Sequence, residues 1–328
     1  MFLNPLKWKP TIVIDSLFHK KRVIDYCIRK QVFPFPSIFQ IQTVNSCNGN
    51  CPMCPNSQRM NNPVEIMPKT LFNKIIKEIV DNKIPHTMIY LYLQNEPFMD
   101  RDVLNKIRVI KELSKNKIRI GLVTNGTFLD SENINELRHL NIDLFTVSLD
   151  AYTKETYDKI RSGLDFSAIS SNIDNLINQG YKGNLYIGFV KQKDNISELL
   201  EFKKYWKRKK ISTDIFQINN RSGDLSDFNS LDINKDKVNT KRIRYRFIPH
   251  LTLQCDNPYT NFNILSNGNV ILCCNDYHKK IILGNVASSS IKDIWNSSQY
   301  NEIRRLMSAQ RYHLITVCKN CSIVSNNT

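Results

Sequence analysis

From residue 38 onward, apolar positions along the chain alternate between two periods. Short runs rich in β-branched and aromatic residues at 38–44, 88–93, 118–124, 144–149, 184–190 and 213–219 read as strands. Between them, 71–82, 103–114, 133–140, 166–179 and 196–209 carry apolar residues at helical spacing, with Thr70 as the expected cap of the first. Six strands alternating with helices across short connections predict an α/β fold. Its sheet is parallel with right-handed crossovers, open or closed. Ligands of such folds sit at the C-terminal ends of the strands.

The flanks differ. Residues 1–36 are a basic lead-in with one amphipathic helix expected around 17–30, ended by Pro34 and Pro36. A helix packed on the main domain is favoured over one lying on a membrane surface. Residues 222–246 are polar and basic with little periodicity and read as a linker. Residues 247–328 carry a hairpin pattern: strands at 262–265 and 270–272 flank a turn at Asn267 and Gly268. A helix at 291–307 and a terminal Cys-x-x-Cys follow. The expected divisions are therefore 1–36, 37–221, 222–246 and 247–328.

With 328 residues, 41% of them hydrophobic, the chain can bury a sizeable core. No apolar run approaches the ~20 residues of a membrane span. The apolar stretch at 11–18 is short and contains Asp15, unlike a signal peptide, so a cytoplasmic protein is expected. Nine cysteines in a reducing compartment do not make a disulfide framework, and seven fall in groups with metal-ligand spacing. The net charge of +16 is open to two readings, attraction of an anionic partner or a Lys-, Asn- and Ile-rich bias over solvated faces. Few aromatics interleave the basic clusters, so no nucleic-acid partner is expected.

Cys47, Cys51 and Cys54 form Cys-x3-Cys-x2-Cys in the loop after the first strand, stiffened by Pro52 and Pro55. Three thiolates can hold three irons of a cube and leave the fourth open. Structural zinc normally takes four ligands, and no histidine lies nearby. The segment running from Cys47 through Asn48, Gly49, Asn50, Cys51, Pro52 and Met53 to Cys54 resembles the radical S-adenosylmethionine (SAM) signature. The resemblance implies a partial (β/α)6 parallel barrel and a [4Fe–4S] cluster whose open iron binds the amino and carboxylate groups of SAM. An electron then splits the sulfonium, giving methionine and a 5′-deoxyadenosyl radical that takes a hydrogen atom from substrate. Met53 stands where relatives often place an aromatic ring beside the cluster.

The resemblance extends to the later strand ends. Gln94, Asn95, Glu96 and Pro97 look like the family's Gly-Gly-Glu-Pro element, which holds the SAM amino group, with both glycines replaced. Thr124, Asn125 and Gly126 match a triplet common at the next strand end. Ser148 and Asp150 occupy the position that offers groups to the SAM ribose, Arg161 the place of an arginine that pairs with the SAM carboxylate, and Gly188 a strand position where adenine can approach. Plain turns, caps or ion pairs remain the alternative for each.

Cys255, Cys273, Cys318 and Cys321 supply four thiolates, enough to saturate a second [4Fe–4S] cluster, and a four-cysteine zinc site fits the spacing nearly as well. The run from Gly268 to Cys274, the segments 283–286 and 291–295, and the final Cys-x-x-Cys resemble the shortened SPASM domain called twitch, a small α+β unit. One auxiliary [4Fe–4S] cluster is implied. Cys274 is expected to be a spare thiol, Cys27 a buried apolar residue, and His278 and His313 surface residues.

A saturated cluster implies electron transfer, hence net oxidation of a small-molecule substrate, with a flavodoxin or ferredoxin as electron donor. Arg221 is the expected substrate contact, and Asp276 a second residue that approaches the cavity. Two alternatives stand beside this reading. One is a maturase of a ribosomal peptide, ranked lower because only 46 residues precede Cys47 and such relatives usually carry an N-terminal peptide-binding domain. The other is a zinc-stabilised nucleic-acid-binding protein.

Overall fold

The structure, a computed structural model, describes residues 31–59, 63–181, 183–233 and 255–324. It also describes Leu17, Lys21, Arg22, 24–26, Arg29, 243–244 and 252–253. Cys27 and most of the helix expected at 17–30 lie outside the described residues.

Six strands follow one another across a sheet in chain order: β1 (Ile38–Ile41), β2 (Met88–Tyr90), β3 (Arg119–Thr124), β4 (Leu144–Ser148), β5 (Leu185–Lys191) and β6 (Ser212–Gln217). Each pairs in parallel with the next. Sequential order with right-handed crossovers puts every helix on one face, so the other face becomes the inside of a curved sheet. The helices are α1 (Lys69–Asp81), α2 (Val103–Leu113), α3 (Ser131–Leu140), α4 (Lys154–Ile160), α5 (Phe166–Asn178) and α6 (Leu199–Arg208). Alternate strand residues Phe39, Ile41, Ile89, Ile120, Leu122, Phe145, Val147, Ile187 and Phe189 are fully buried against Ile75, Ile76, Ile107, Ile110, Leu137, Ile173 and Phe202 from those helices. Each such side chain contributes about 1.5–3 kcal/mol by leaving water.

The C-terminal strands extend this sheet. After the short antiparallel pair β7 (Ile243–Arg244) and β8 (Thr252–Leu253), β9 (Asn261–Ile264) runs parallel to β1. β10 (Asn269–Ile271) and β11 (Ile282–Asn285) then add in antiparallel fashion. The turn forms as expected: Gly268 takes φ +84°, a left-handed value glycine tolerates. This pairing brings the end of β10, and so Cys273, beside the loop that leaves β1.

Several boundaries differ from the sequence expectation for physical reasons. Helix α1 starts at Lys69 with Pro68 before it, so Thr70 lies inside the first turn and caps nothing. The helix expected at 291–307 is two, α9 (Ile291–Trp295) and α10 (Ser298–Ser308), because Ser297 accepts from Tyr300 N and starts a new helix. The seven-residue α4, capped by Thr153, was too short to show as a period. The described part of the expected linker is built into the core: α7 (Phe228–Leu231) follows a tight turn, and Leu225 packs with Cys51, Met53 and Ile218. One further short helix, α8 (Asn257–Thr260), leads into β9.

The described lead-in residues pack on the C-terminal part. Tyr26 meets Tyr259 at 4.8 Å, and Trp295 Nε1 donates to the Phe33 carbonyl at 2.7 Å. Arg304, fully buried, stacks on Trp295 and Tyr300 and donates to the carbonyls of Pro258 and Trp295.

Candidate active site

The chain leaves the sheet after Ile41 and forms the loop that carries Cys47, Cys51 and Cys54. Its backbone is pinned at both ends: Glu96 N donates to the Ser46 carbonyl at 2.9 Å and Asn50 N to the Ser162 carbonyl at 2.8 Å. Cys54 N donates to the Cys51 carbonyl at 3.0 Å, a one-turn bond between the last two cysteines. Burial pushes the Cys47 thiol up to about 12, and the Cys51 thiol also upward, with their cysteine neighbours adding to it. Arg161 Nη1 lies 3.9 Å from Cys51 Sγ and Tyr277 Oη 3.7 Å from Cys54 Sγ. Buried sulfurs approached by cationic and hydroxyl donors suit thiolate ligands, which must shed their protons when metal binds. All eight described cysteines are free thiols.

Strand ends converge above this loop. Glu96 is buried and ties β2 to β3: Oε1 accepts from Thr124 Oγ1 at 2.6 Å and Phe98 N at 3.2 Å, and Oε2 from Asn125 N at 2.7 Å. One acceptor position on Oε2 is left, counting two per carboxylate oxygen. Asn125 Nδ2 reaches into the cysteine loop, donating to Asn48 Oδ1 at 2.7 Å. Gln94 has φ +57°, its carbonyl accepts from Asn56 Nδ2 at 2.6 Å, and its side chain donates to the Cys274 carbonyl at 2.8 Å. Asn95 caps backward onto Leu93 N at 2.7 Å, and Pro97 starts a 3-10 turn. Met53 is buried, with Gln192 Nε2 3.4 Å from its sulfur.

At the β4 end, the Gly188 carbonyl accepts from both Leu149 N and Asp150 N, and Ser148 pairs with Gly188 in register. Asp150 takes φ +63° and accepts from Val190 N at 2.6 Å, and its other oxygen forms an ion pair with Arg161. The pair is deeply buried, with side-chain exposures of 12% and 1%. Removing one partner leaves an uncompensated charge, so Asp150→Asn lowers unfolding free energy by about 3–5 kcal/mol in urea titrations.

The second group lies across the sheet extension. Asn257 Nδ2 is 3.3 Å and Asn275 N 3.4 Å from Cys273 Sγ. Burial drives the Cys255 thiol well up and the Cys318 thiol up to about 12, with neighbouring cysteines adding to both. Ser222 lies beside the Cys321 thiol. The loop after β6 is laced to this end of the chain: Asn220 N and Nδ2 donate to Ser322 Oγ and the Asn320 carbonyl, and Ser322 N donates to Asn220 Oδ1. Among the described residues, no three His, Cys, Asp or Glu side chains gather tightly enough to hold a single metal ion.

Arg221, with φ +50°, stands between the two groups. Its Nη1 donates to Asn275 Oδ1 at 3.2 Å, and its charge acts on Cys54, Cys273, Cys274 and Tyr277. Asp276 is turned into its own loop instead of the cavity, Oδ1 accepting from Lys280 N at 2.9 Å and Oδ2 from Ile281 N at 3.0 Å. Cys274 bonds its thiol to Cys273 and packs against Leu93, Leu265 and Ile271. His278 is half-exposed beside Asp224, and His313 is exposed. Tyr277 escaped the sequence reading because its partner Cys54 is 223 residues away.

Residues 41–205, half of the chain, match the radical SAM superfamily, and residues 255–322 match an iron–sulfur cluster-binding domain, SPASM. The chain is 20% identical over 292 residues to the S-adenosyl-L-methionine-dependent 2-deoxy-scyllo-inosamine dehydrogenase of Niallia circulans. That match covers 89% of this chain and 95% of that protein. The crystal structure of BtrN in complex with AdoMet and 2-DOIA shares the fold with a TM-score of 0.60 at 18% identity, covering 89% and 94% of the two chains. Streptococcus suis SuiB bound to its precursor peptide SuiA shares it with a TM-score of 0.65 at 15% identity, covering 95% and 75%. The iron–sulfur assignment replaces the zinc reading of both cysteine groups. By these matches and this geometry the chain belongs to the radical SAM superfamily, an enzyme with a [4Fe–4S] cluster that works with SAM and an auxiliary iron–sulfur cluster toward its C-terminus.

Proposed function

We propose that the protein is a cytoplasmic radical oxidoreductase that removes two electrons and two protons from a small polar metabolite. A sugar, cyclitol or nucleotide derivative fits, with a flavodoxin or ferredoxin supplying the priming electron. The observation that carries this reading is the bridge between the two cysteine groups: Tyr277 touches Cys54, and Arg221 acts on Cys54 and Cys273 together. When bound, the cofactors supply an electron to cleave SAM, a radical that abstracts hydrogen, and an acceptor for the electron the substrate radical then gives up.

The chain's own residues have assignable tasks. Cys47, Cys51 and Cys54 ligate the SAM-binding cluster. Cys255, Cys273, Cys318 and Cys321 ligate the auxiliary one. The free acceptor position on Glu96 suits the SAM ammonium, with the backbone around Gln94, Asn95 and Pro97 beside it. Asn125 orders the cysteine loop. Ser148 and Gly188 line the β4–β5 end where ribose and adenine lie. Arg161, held by Asp150, keeps its remaining edge toward Cys51 and the SAM carboxylate. Met53 closes the cluster on its apolar side.

Glu96→Gln replaces one acceptor oxygen by a donor amide, so SAM affinity falls about 10-fold or more by equilibrium dialysis. The whole reading is tested by incubating anaerobic, reduced protein with SAM and metabolite extract. Formation of 5′-deoxyadenosine matched by loss of two mass units from one metabolite supports it, and absence of SAM cleavage sinks it. Modification of a ribosomal peptide is the second reading. It is favoured by the likeness of fold to SuiB over 95% of this chain and would show as a mass change in a co-purifying peptide.

A further inference from the structure

The stretch between Cys273 and β11 joins the two cysteine groups, and none of the tasks above accounts for how firmly it is held. Asp276 fixes it from within: its carboxylate accepts from Lys280 N and Ile281 N, and its own N–H donates to the Cys273 carbonyl at 3.0 Å. Asp224, buried in the loop after β6, accepts through Oδ2 from Tyr277 N at 3.1 Å and His278 N at 3.3 Å, and its Oδ1 pairs with Lys280. From the end of β2, Gln94 donates to the Cys274 carbonyl at 2.8 Å, and Lys279 donates to the Gln94 side-chain oxygen. The backbone of Tyr277 is thus anchored by its own loop, by the β6 side and by the β2 end.

That anchoring aims one side chain. The Tyr277 phenol is buried, only 5% exposed, and its Oη ends 3.7 Å from Cys54 Sγ. A ligating thiolate has given up its proton, whereas a phenol keeps its own at neutral pH. The direction of the bond is therefore fixed: Oη donates and Sγ accepts. Low local dielectric strengthens such a bond. Hydrogen bonds to the sulfurs help set the reduction potential of an iron–sulfur cluster. Reduction adds negative charge, and a charge-assisted donor at a sulfur favours the reduced form.

We propose that Tyr277, carried on the C-terminal iron–sulfur domain, is a positioning residue for the SAM-binding cluster: its hydroxyl donates to the Cys54 thiolate and raises the reduction potential of that cluster. The phenol proton stays on Oη in both oxidation states. The single electron comes from the external reductant, and no bond breaks. Asp224 and Asp276 act one step further out, by holding the backbone that aims the ring. The inference rests on Cys54 as a ligand of the SAM-binding cluster and is independent of the substrate.

The test uses the full chain, purified anaerobically with both clusters, and follows the reduced clusters by electron paramagnetic resonance through a dithionite titration. The signal that changes on adding SAM identifies the SAM-binding cluster. Tyr277→Phe removes only the hydroxyl, so iron content and melting temperature stay at wild-type values. The reduction equilibrium of the SAM-responsive signal weakens about 3- to 10-fold, a fall of roughly 30–60 mV in its one-electron midpoint. The auxiliary signal keeps its midpoint and serves as the internal reference. Tyr277→3-fluorotyrosine keeps the shape, donates a stronger hydrogen bond and moves the midpoint upward, and it decides the matter should Y277F lose its clusters. An unmoved midpoint in Y277F, a fall in the fluorinated variant, or equal shifts of both clusters overturns the inference. A wild type without a SAM-responsive signal removes the Cys54 ligand assignment and the inference with it, whereas an intact signal with an unmoved midpoint removes the role of Tyr277 alone.

Discussion

Replacing Cys51 with alanine leaves an anaerobically purified chain holding about four irons where the wild type holds about eight, and 5′-deoxyadenosine formation falls to background. Cys51 is the middle thiol of three and the most enclosed, 6% exposed, with the Arg161 guanidinium 3.9 Å from its sulfur. Two remaining thiolates cannot hold three corners of a cube. The loop itself survives, because it is pinned by backbone bonds at Glu96 and Asn50 and not by the sulfur. The auxiliary group shares no ligand with it and keeps its own metal. Since ligand binding adds to folding stability, the melting temperature also drops. Iron analysis and chromatography of the reduced reaction mixture check both parts. A variant that keeps its full iron content, or one that still cleaves SAM at the wild-type rate, contradicts the ligand assignment.

What could be read in the sequence follows from what is local. The strands β1 to β6 announce themselves because alternate residues such as Ile120 and Leu122 must face helices, and that period survives without knowledge of the fold. The cysteine spacings are equally local, as are the Asn267 and Gly268 turn and the acidic residue before Pro97. Relations across the chain are not. The Asp150–Arg161 pair, the Tyr277–Cys54 contact and the lacing of Asn220 to Ser322 join residues whose only common signal is three-dimensional. Asp276 misled for the same reason: an acidic residue near a ligand cysteine looks available until its backbone partners Lys280 N and Ile281 N are seen.

Cys318→Ala separates SAM cleavage from substrate oxidation. The side chain belongs to the terminal Cys-x-x-Cys, between the buried Val317 and the turn that bonds Cys321 N to the Cys318 carbonyl at 3.0 Å. Loss of one of four thiolates empties or degrades the auxiliary site, so iron again falls to about four per chain, this time with the SAM-binding set intact. The two variants therefore have like iron contents and opposite chemistry. In C318A, 5′-deoxyadenosine still forms, at a rate within about 10-fold of wild type, because Cys47, Cys51, Cys54 and the strand-end residues around Glu96 and Arg161 are untouched. On the proposed reading, oxidised product per 5′-deoxyadenosine falls from about one toward zero, because the auxiliary cluster would be the acceptor for the electron that the substrate gives up. The coupling ratio is the decisive readout, because a merely structural role for the second cluster would lower both products together. Equal loss of both would reduce that site to a fold-stabilising staple, and unchanged coupling would send the electron by another route.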